Sequence, residues 1–98
     1  MPSPKTPSLT EKEFERIARA LAEPRRVEIL RQVGETKGGV MTCSALQKCH
    51  EVSAATMSHH LKELETAGLI DTEKTGKFMQ ITLKRPMLKA YLSRLGEI

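Results

Sequence analysis

The chain has no tryptophan, one tyrosine and two phenylalanines in 98 residues. So few aromatics argue against a surface that binds single-stranded nucleic acid by stacking bases on rings. There are only two cysteines, Cys43 and Cys49, with no framework of spacings, which suits a reducing cytoplasm. No apolar run approaches the roughly 20 residues a membrane span needs, and the first residues carry no apolar signal core. The expectation is a cytoplasmic protein without membrane association. The sequence also lacks a nucleophile–base–orienter set, a phosphate loop and paired acids at useful spacing. It is therefore read as no enzyme, with no cofactor.

What is present is a mild excess of positive charge. Sixteen Lys and Arg against twelve Asp and Glu give a formal net charge of +4. That balance suits an anionic partner without forming a polybasic tail. The length allows one domain with a modest core, and small domains often gain core by pairing with a second copy.

Residues 1–8, with Pro2, Pro4 and Pro7 and little apolar content, read as a disordered tail. The remainder, 9–98, reads as one domain. Thr10 and Glu13 form a capping box, with Leu9 and Phe14 as the staple across it. Phe14, Ile17, Ala18 and Leu21 then follow helical spacing. Pro24 is preorganised to open a second helix, which carries Val27, Ile29, Leu30 and Val33 and ends at Gly34. Val40 and Met41 fit a very short strand. Thr42 caps a third helix reaching His50, with Leu46 and Cys49 read as its inward face. Two strands, Leu69–Lys74 and Lys77–Leu83, flank a Thr75–Gly76 turn. Met79, Ile81 and Leu83 alternate in the second. Pro86 opens a last helix with an apolar face of Met87, Leu88, Tyr91, Leu92 and Leu95.

The stretch between Ser53 and Gly68 carries the functional reading. Ser53 is an N-cap residue and Gly68 a helix stop. Met57, Leu61 and Leu64 fall at i, i+4, i+7 and form one apolar stripe. Ala55, Ser58, His59 and Lys62 lie opposite, on a small, polar, cationic face without a carboxylate. Such a face can approach a duplex closely and bond to base edges in the major groove. Two short helices joined by a tight turn at Glu51 and Val52, the second with this face, make a helix-turn-helix. A hairpin tip bearing Lys74 and Lys77 beside it suits a wing that grips phosphate. His60 falls at the edge of the apolar stripe, so a packing or hydrogen-bonding role is expected for it. Adjacent helical residues point about 100° apart, which makes His59 and His60 a poor metal pair.

In this order the chain resembles the ArsR/SmtB-type winged-helix repressors. The resemblance rests on Ala20–Leu30 (ALAEPRRVEIL), on Ser53–Ile70 with its MSHHLK core, and on Gly76, Lys77 and Phe78. It spans about Glu11 to Leu95. The resemblance implies a mainly α (α+β) winged helix-turn-helix with five helices and a two-stranded β-wing. It implies a homodimer through the N- and C-terminal helices, with Phe14, Ile17, Leu21, Leu88, Tyr91, Leu92 and Leu95 at the interface. It implies a repressor bound to an inverted-repeat operator in double-stranded DNA and released by an inducer whose identity the sequence does not carry. By position, Ser53, Thr56, Ser58, His59 and Lys62 would face the DNA, with Ala55 on the same surface. Gln47 and Lys48 would contact the backbone.

Three departures from the family pattern matter. The cysteines of its metal-sensing members would fall on Thr42 and Ser44, and the last helix carries no His, so neither known metal position is intact. No metal is expected. Cys43 and Cys49 leave open a thiol-redox-responsive repressor, although a disulfide between them would require melting their helix, since bridged Cα atoms lie within about 7 Å. Glu51 stands in the turn where many relatives have Gly. With the mild net charge, it leaves open a second alternative, a winged-helix protein-interaction adaptor that no longer reads DNA.

Overall fold

The computed structural model of the chain describes residues 8–98; apart from Ser8, the expected tail lies outside the described residues. They form five α-helices and a three-stranded antiparallel sheet. α1 is Glu11–Ala20, α2 Pro24–Glu35, β1 Val40–Thr42 and α3 Cys43–His50. α4 is Ala54–Thr66, β2 Ile70–Thr75, β3 Phe78–Leu83 and α5 Arg85–Leu95.

The helix starts follow local chemistry. Thr10 Oγ1 accepts from the Glu13 N–H at 3.1 Å and Glu13 Oε1 accepts from the Thr10 N–H at 2.8 Å, closing the capping box. Thr42 Oγ1 accepts from Ala45 N–H at 3.2 Å. Ser53 Oγ accepts from Thr56 N–H at 3.1 Å. Pro24 opens α2, where its missing N–H has no intrahelical partner to lose.

The sheet order is β1-β3-β2. The wing is the β2–β3 hairpin, in register from Ile70 opposite Leu83 to Thr75 opposite Phe78. Its turn uses Gly76 at φ 61°, a conformation that glycine reaches without penalty. β1 adds a third strand, with Met41 opposite Ile81. It covers the edge of β3 that a two-stranded wing would leave open.

The core lies between α1, α2, α3, α4 and the inner face of the sheet. Ile17, Ile29, Val33, Leu46, Met57, Leu64, Leu69 and Ile81 are fully buried there. Several expectations are corrected by this packing. Gly34 does not end α2, which runs on to Glu35. A Cβ at Gly34 would sit 3.2 Å from Leu83 Cδ2, so the glycine allows α2 and β3 to approach closely. Val27 is exposed on the outer side of α2, and Met79 is exposed on β3. Ile17, assigned to an interface between copies, belongs to the chain's own core. Cys49, assigned to the inward face of α3, is exposed. His50, one residue on, takes the inward position with Leu46, where its ring and carbonyl meet Arg25 and Gln32 of α2.

α5 closes the molecule against α1. Ala90 is buried; Met87, Leu88 and Tyr91 pack half-buried on the core, as does Leu21 from the end of α1. The Phe14 and Tyr91 ring centroids are 5.0 Å apart. Leu92 and Leu95 point outward and are exposed.

Candidate nucleic-acid interface

α4 presents two separate faces. Met57, His60, Leu61 and Leu64 are buried, whereas Ala55, Thr56, Ser58, His59 and Lys62 are exposed. From Ala54 to Lys62 that outer face carries no carboxylate, and the acids follow at the C-terminal end of the helix. Glu63 is half-buried to one side, and Glu65 accepts a hydrogen bond from Thr72 Oγ1, which ties its carboxylate to β2. The amide groups of Ala54 and Ala55 lack intrahelical acceptors and point out of the helix start, a position that favours phosphate.

The Ser53 hydroxyl is engaged in the cap. It also donates to Thr56 Oγ1 at 2.9 Å. This pair orders the first turn of α4 and leaves Ser58, His59 and Lys62 as the outward polar groups of the following turns. Lys48 is exposed on α3 and Gln47 is half-buried beside it. Lys74 and Lys77 are exposed at the wing tip. Lys74 lies opposite Met79, two pairs beyond the Thr72–Ile81 pair. It therefore continues the sheet face that meets α4.

Between α3 and α4 the chain turns through Glu51 at φ 50°, ψ 41°, the one non-glycine residue with positive φ among the described residues. The turn is built for glycine, and a glutamate occupies it.

Behind the motif lies a polar seam: His60 has the buried, hydrogen-bonding role expected of it, whereas its companions Arg25, Arg26, Gln32 and His50 were missed by sequence reasoning. Arg25 Nη1 donates to the His50 carbonyl at 3.1 Å and contacts His50 Nδ1 at 3.2 Å. His50 Nε2 is 2.6 Å from Gln32 Oε1. Arg26 Nε donates to His60 Nδ1 at 3.2 Å, and its Nη1 to the Ala20 carbonyl at 3.3 Å. Burial, and then the guanidinium of Arg25, hold His50 below the usual histidine range; burial and then Arg26 do the same for His60. One signal in the sequence could have pointed here. Two arginines in the first turn of a helix oppose the helix dipole, so a partner elsewhere is needed to explain them.

Among the described residues, no group of three or more His, Cys, Asp or Glu side chains is placed to hold a metal ion. Cys43 is half-buried against the core and Cys49 is exposed, both as free thiols. Six residues of helix separate them by about 9 Å along its axis, beyond disulfide reach.

A family model described as a helix-turn-helix domain matches residues 21–73. Transcriptional repressor SdpR of Bacillus subtilis (strain 168) is 30% identical over 73 residues, 74% of this chain and 78% of that protein. A crystal structure of an ArsR family transcriptional regulator aligns at a TM-score of 0.80 with 25% identity, covering 93% of this chain and 91% of that one. HlyU from Vibrio cholerae N16961 aligns at 0.68 with 25% identity, over 86% of this chain and 91% of its own. A homodimeric winged helix-turn-helix domain from Mycobacterium bovis shares the fold at a TM-score of 0.72 and 17% identity, covering 94% of this chain and 90% of that one.

Proposed function

This chain belongs to the ArsR-type family of winged helix-turn-helix, DNA-binding transcriptional regulators, and from that premise we propose that it is a homodimeric repressor. It acts in the cytoplasm, binds an inverted-repeat operator and uses none of the family's metal positions. The observation that carries this reading is the outer face of α4. Ser58, His59 and Lys62 are exposed there while Met57, Leu61 and Leu64 are buried behind them. An exposed polar surface free of carboxylates from Ala54 to Lys62 suits base-edge readout. Lys48, Lys74 and Lys77 flank it as phosphate contacts.

The name of the Bacillus relative supports the repressing direction. The homodimer is supported by the description of the Mycobacterium domain. It is supported too by Leu92 and Leu95, which are exposed on the helix the family uses for pairing. In a dimer, two α4 helices would sit about 34 Å apart, one turn of DNA.

The test is selection from a random duplex pool, followed by binding to the enriched sequence as salt is raised. The expected result is an enriched palindrome whose affinity falls steeply with salt. No enrichment, with salt-insensitive behaviour, would reject the repressor and favour the protein-adaptor reading. Repeating the selection after mild oxidation tests thiol sensing. Loss of binding only in the oxidised sample would assign the inducing signal to Cys43 and Cys49.

A further inference from the structure

Arg25 and Arg26 are adjacent in the chain, yet they leave the first turn of α2 for different helices. Arg25 holds the last residue of α3 through the carbonyl and ring of His50. Arg26 holds the middle of α4 through the ring of His60. The fork therefore spans the left-handed turn at Glu51 and grips both helices of the motif. We propose that this fork positions the recognition helix for DNA, and that it holds only while His50 and His60 are uncharged, so that DNA affinity falls on acidification. The inference rests on the reading of α4 as the DNA-binding helix.

Hydrogen-bond chemistry dictates the protonation state. A guanidinium only donates. Where Arg26 Nε meets His60 Nδ1 at 3.2 Å, the ring nitrogen must supply a lone pair, which puts the His60 proton on Nε2. The same logic at His50 leaves Nδ1 as acceptor and Nε2–H as donor to Gln32 Oε1. Protonating either ring puts an N–H against an N–H and one cation against another. Glu28 on α2 faces His50 with the opposite sign, and Glu23 does so for His60. Against them, His50 faces Arg25, and His60 faces Arg26, Arg25 and its neighbour His59. The cations and burial prevail at both rings, which stay neutral to lower pH than an ordinary histidine.

His60 lies between His59 and Lys62, so releasing its ring moves the residues that face DNA. The sign is diagnostic. An imidazole in direct contact with phosphate would tighten its hold on the polyanion as it took up a proton. The fork predicts weakening.

The experiment is fluorescence anisotropy with the selected duplex at constant ionic strength, from about pH 8 to about pH 5.5, with far-UV dichroism to verify that the chain stays folded. Over this range the wild-type chain is expected to weaken by up to about tenfold for each ring released, the most that one unit of acidification below the ordinary imidazole range supplies. His60→Asn keeps a neutral acceptor near the place of Nδ1. It should bind within a few-fold of wild type at the upper pH and decline less. His60→Asn with His50→Asn should remove the decline. Amide exchange across α4 without DNA, corrected for its intrinsic pH dependence, should quicken on acidification in wild type and not in the double variant. Wild-type affinity that holds or rises on acidification, with unchanged α4 exchange, would overturn the fork. Absence of DNA binding at every pH would overturn the proposed function, and with it the affinity effect; unchanged exchange in that case would also overturn the positioning role.

Discussion

Arg94 lies over the ring of Phe14, its guanidinium carbon 4.7 Å from the ring centroid, and so joins the last helix to the first. The same side chain donates through Nη1 to the Leu9 carbonyl at 2.9 Å and the Thr10 carbonyl at 3.2 Å, and pairs with Glu11. It holds the start of α1 against α5, where the dimer surface is proposed.

Replacing Arg94 by Ala should destabilise the fold by about 1–3 kcal/mol, the combined scale of a cation–π contact and charge-assisted hydrogen bonds at a partly exposed site. Glu11 is largely exposed, so the ion pair itself adds little, and Glu11→Gln should be near neutral. Urea titration of both variants checks the contrast. Equal losses would mean that the ion pair, not the ring and carbonyl contacts, holds the helices together.

Stability should fall with acidification through the histidine range. His50 and His60 both have folded-state values lowered from 6.5. The unfolded chain therefore takes up protons first, and stability rises with pH in that window. The contribution is complete above the unfolded value and is lost as pH falls from there toward the depressed folded values. Denaturant midpoints measured through this range should decline toward acid in the wild-type chain, and less in H60N. A midpoint that rises toward acid would contradict the assigned ring protonation.

Glu51→Gly should stabilise the chain by about 0.5–1 kcal/mol. A left-handed backbone costs a non-glycine residue roughly 1–2 kcal/mol, and the larger entropy of an unfolded glycine takes back part of the gain. Glu51→Ala, which keeps the strain, should leave stability nearly unchanged. Thermal melts of the three chains decide it. Equal melting of the Gly and Ala variants would mean that the turn is not strained.

Lys77 and Lys62 should differ in how they fail. If the wing lysine contacts phosphate, Lys77→Ala weakens all duplexes alike and lowers the salt slope by about 1. Lys62→Ala, on the reading face, should cost about 1–3 kcal/mol on the preferred site and compress the gap between preferred and random duplexes. Salt titrations on both duplexes separate the two roles. An unchanged slope in the Lys77 variant would remove the wing from the DNA contact.

Cys49 should react with a thiol reagent in the folded chain well before Cys43, because it is exposed while Cys43 packs against the core. Timed alkylation with peptide mapping gives the order. Faster labelling of Cys43 would place α3 in a different rotation.

The capping residues were legible because they act within three positions of chain. Thr10 with Glu13, Thr42, Ser53 and Pro24 marked four helix starts without any knowledge of packing. The outer face of α4 was legible for the same reason: thirteen residues of helix give enough turns to set its phase. α3 has eight residues and one strong apolar anchor, Leu46. Cys49 at i+3 and His50 at i+4 were then equally good companions, and only contact with Arg25 and Gln32 of α2 chose His50. Ile17 was similar. Its spacing announced a buried face and did not say whether that face meets this chain or a second one.

The sequence by itself determined the order of elements, the caps, the hairpin and the cationic helix face, since each depends on residues close together in the chain. Tertiary structure alone decided which polar groups are buried and what they bond. Arg25 meets His50 across 25 positions and Arg26 meets His60 across 34. A charged pair of surface-looking arginines becomes a clamp only when folding brings acceptors to them. Burial then makes those acceptors neutral rings, and that pairing is not written in any local pattern.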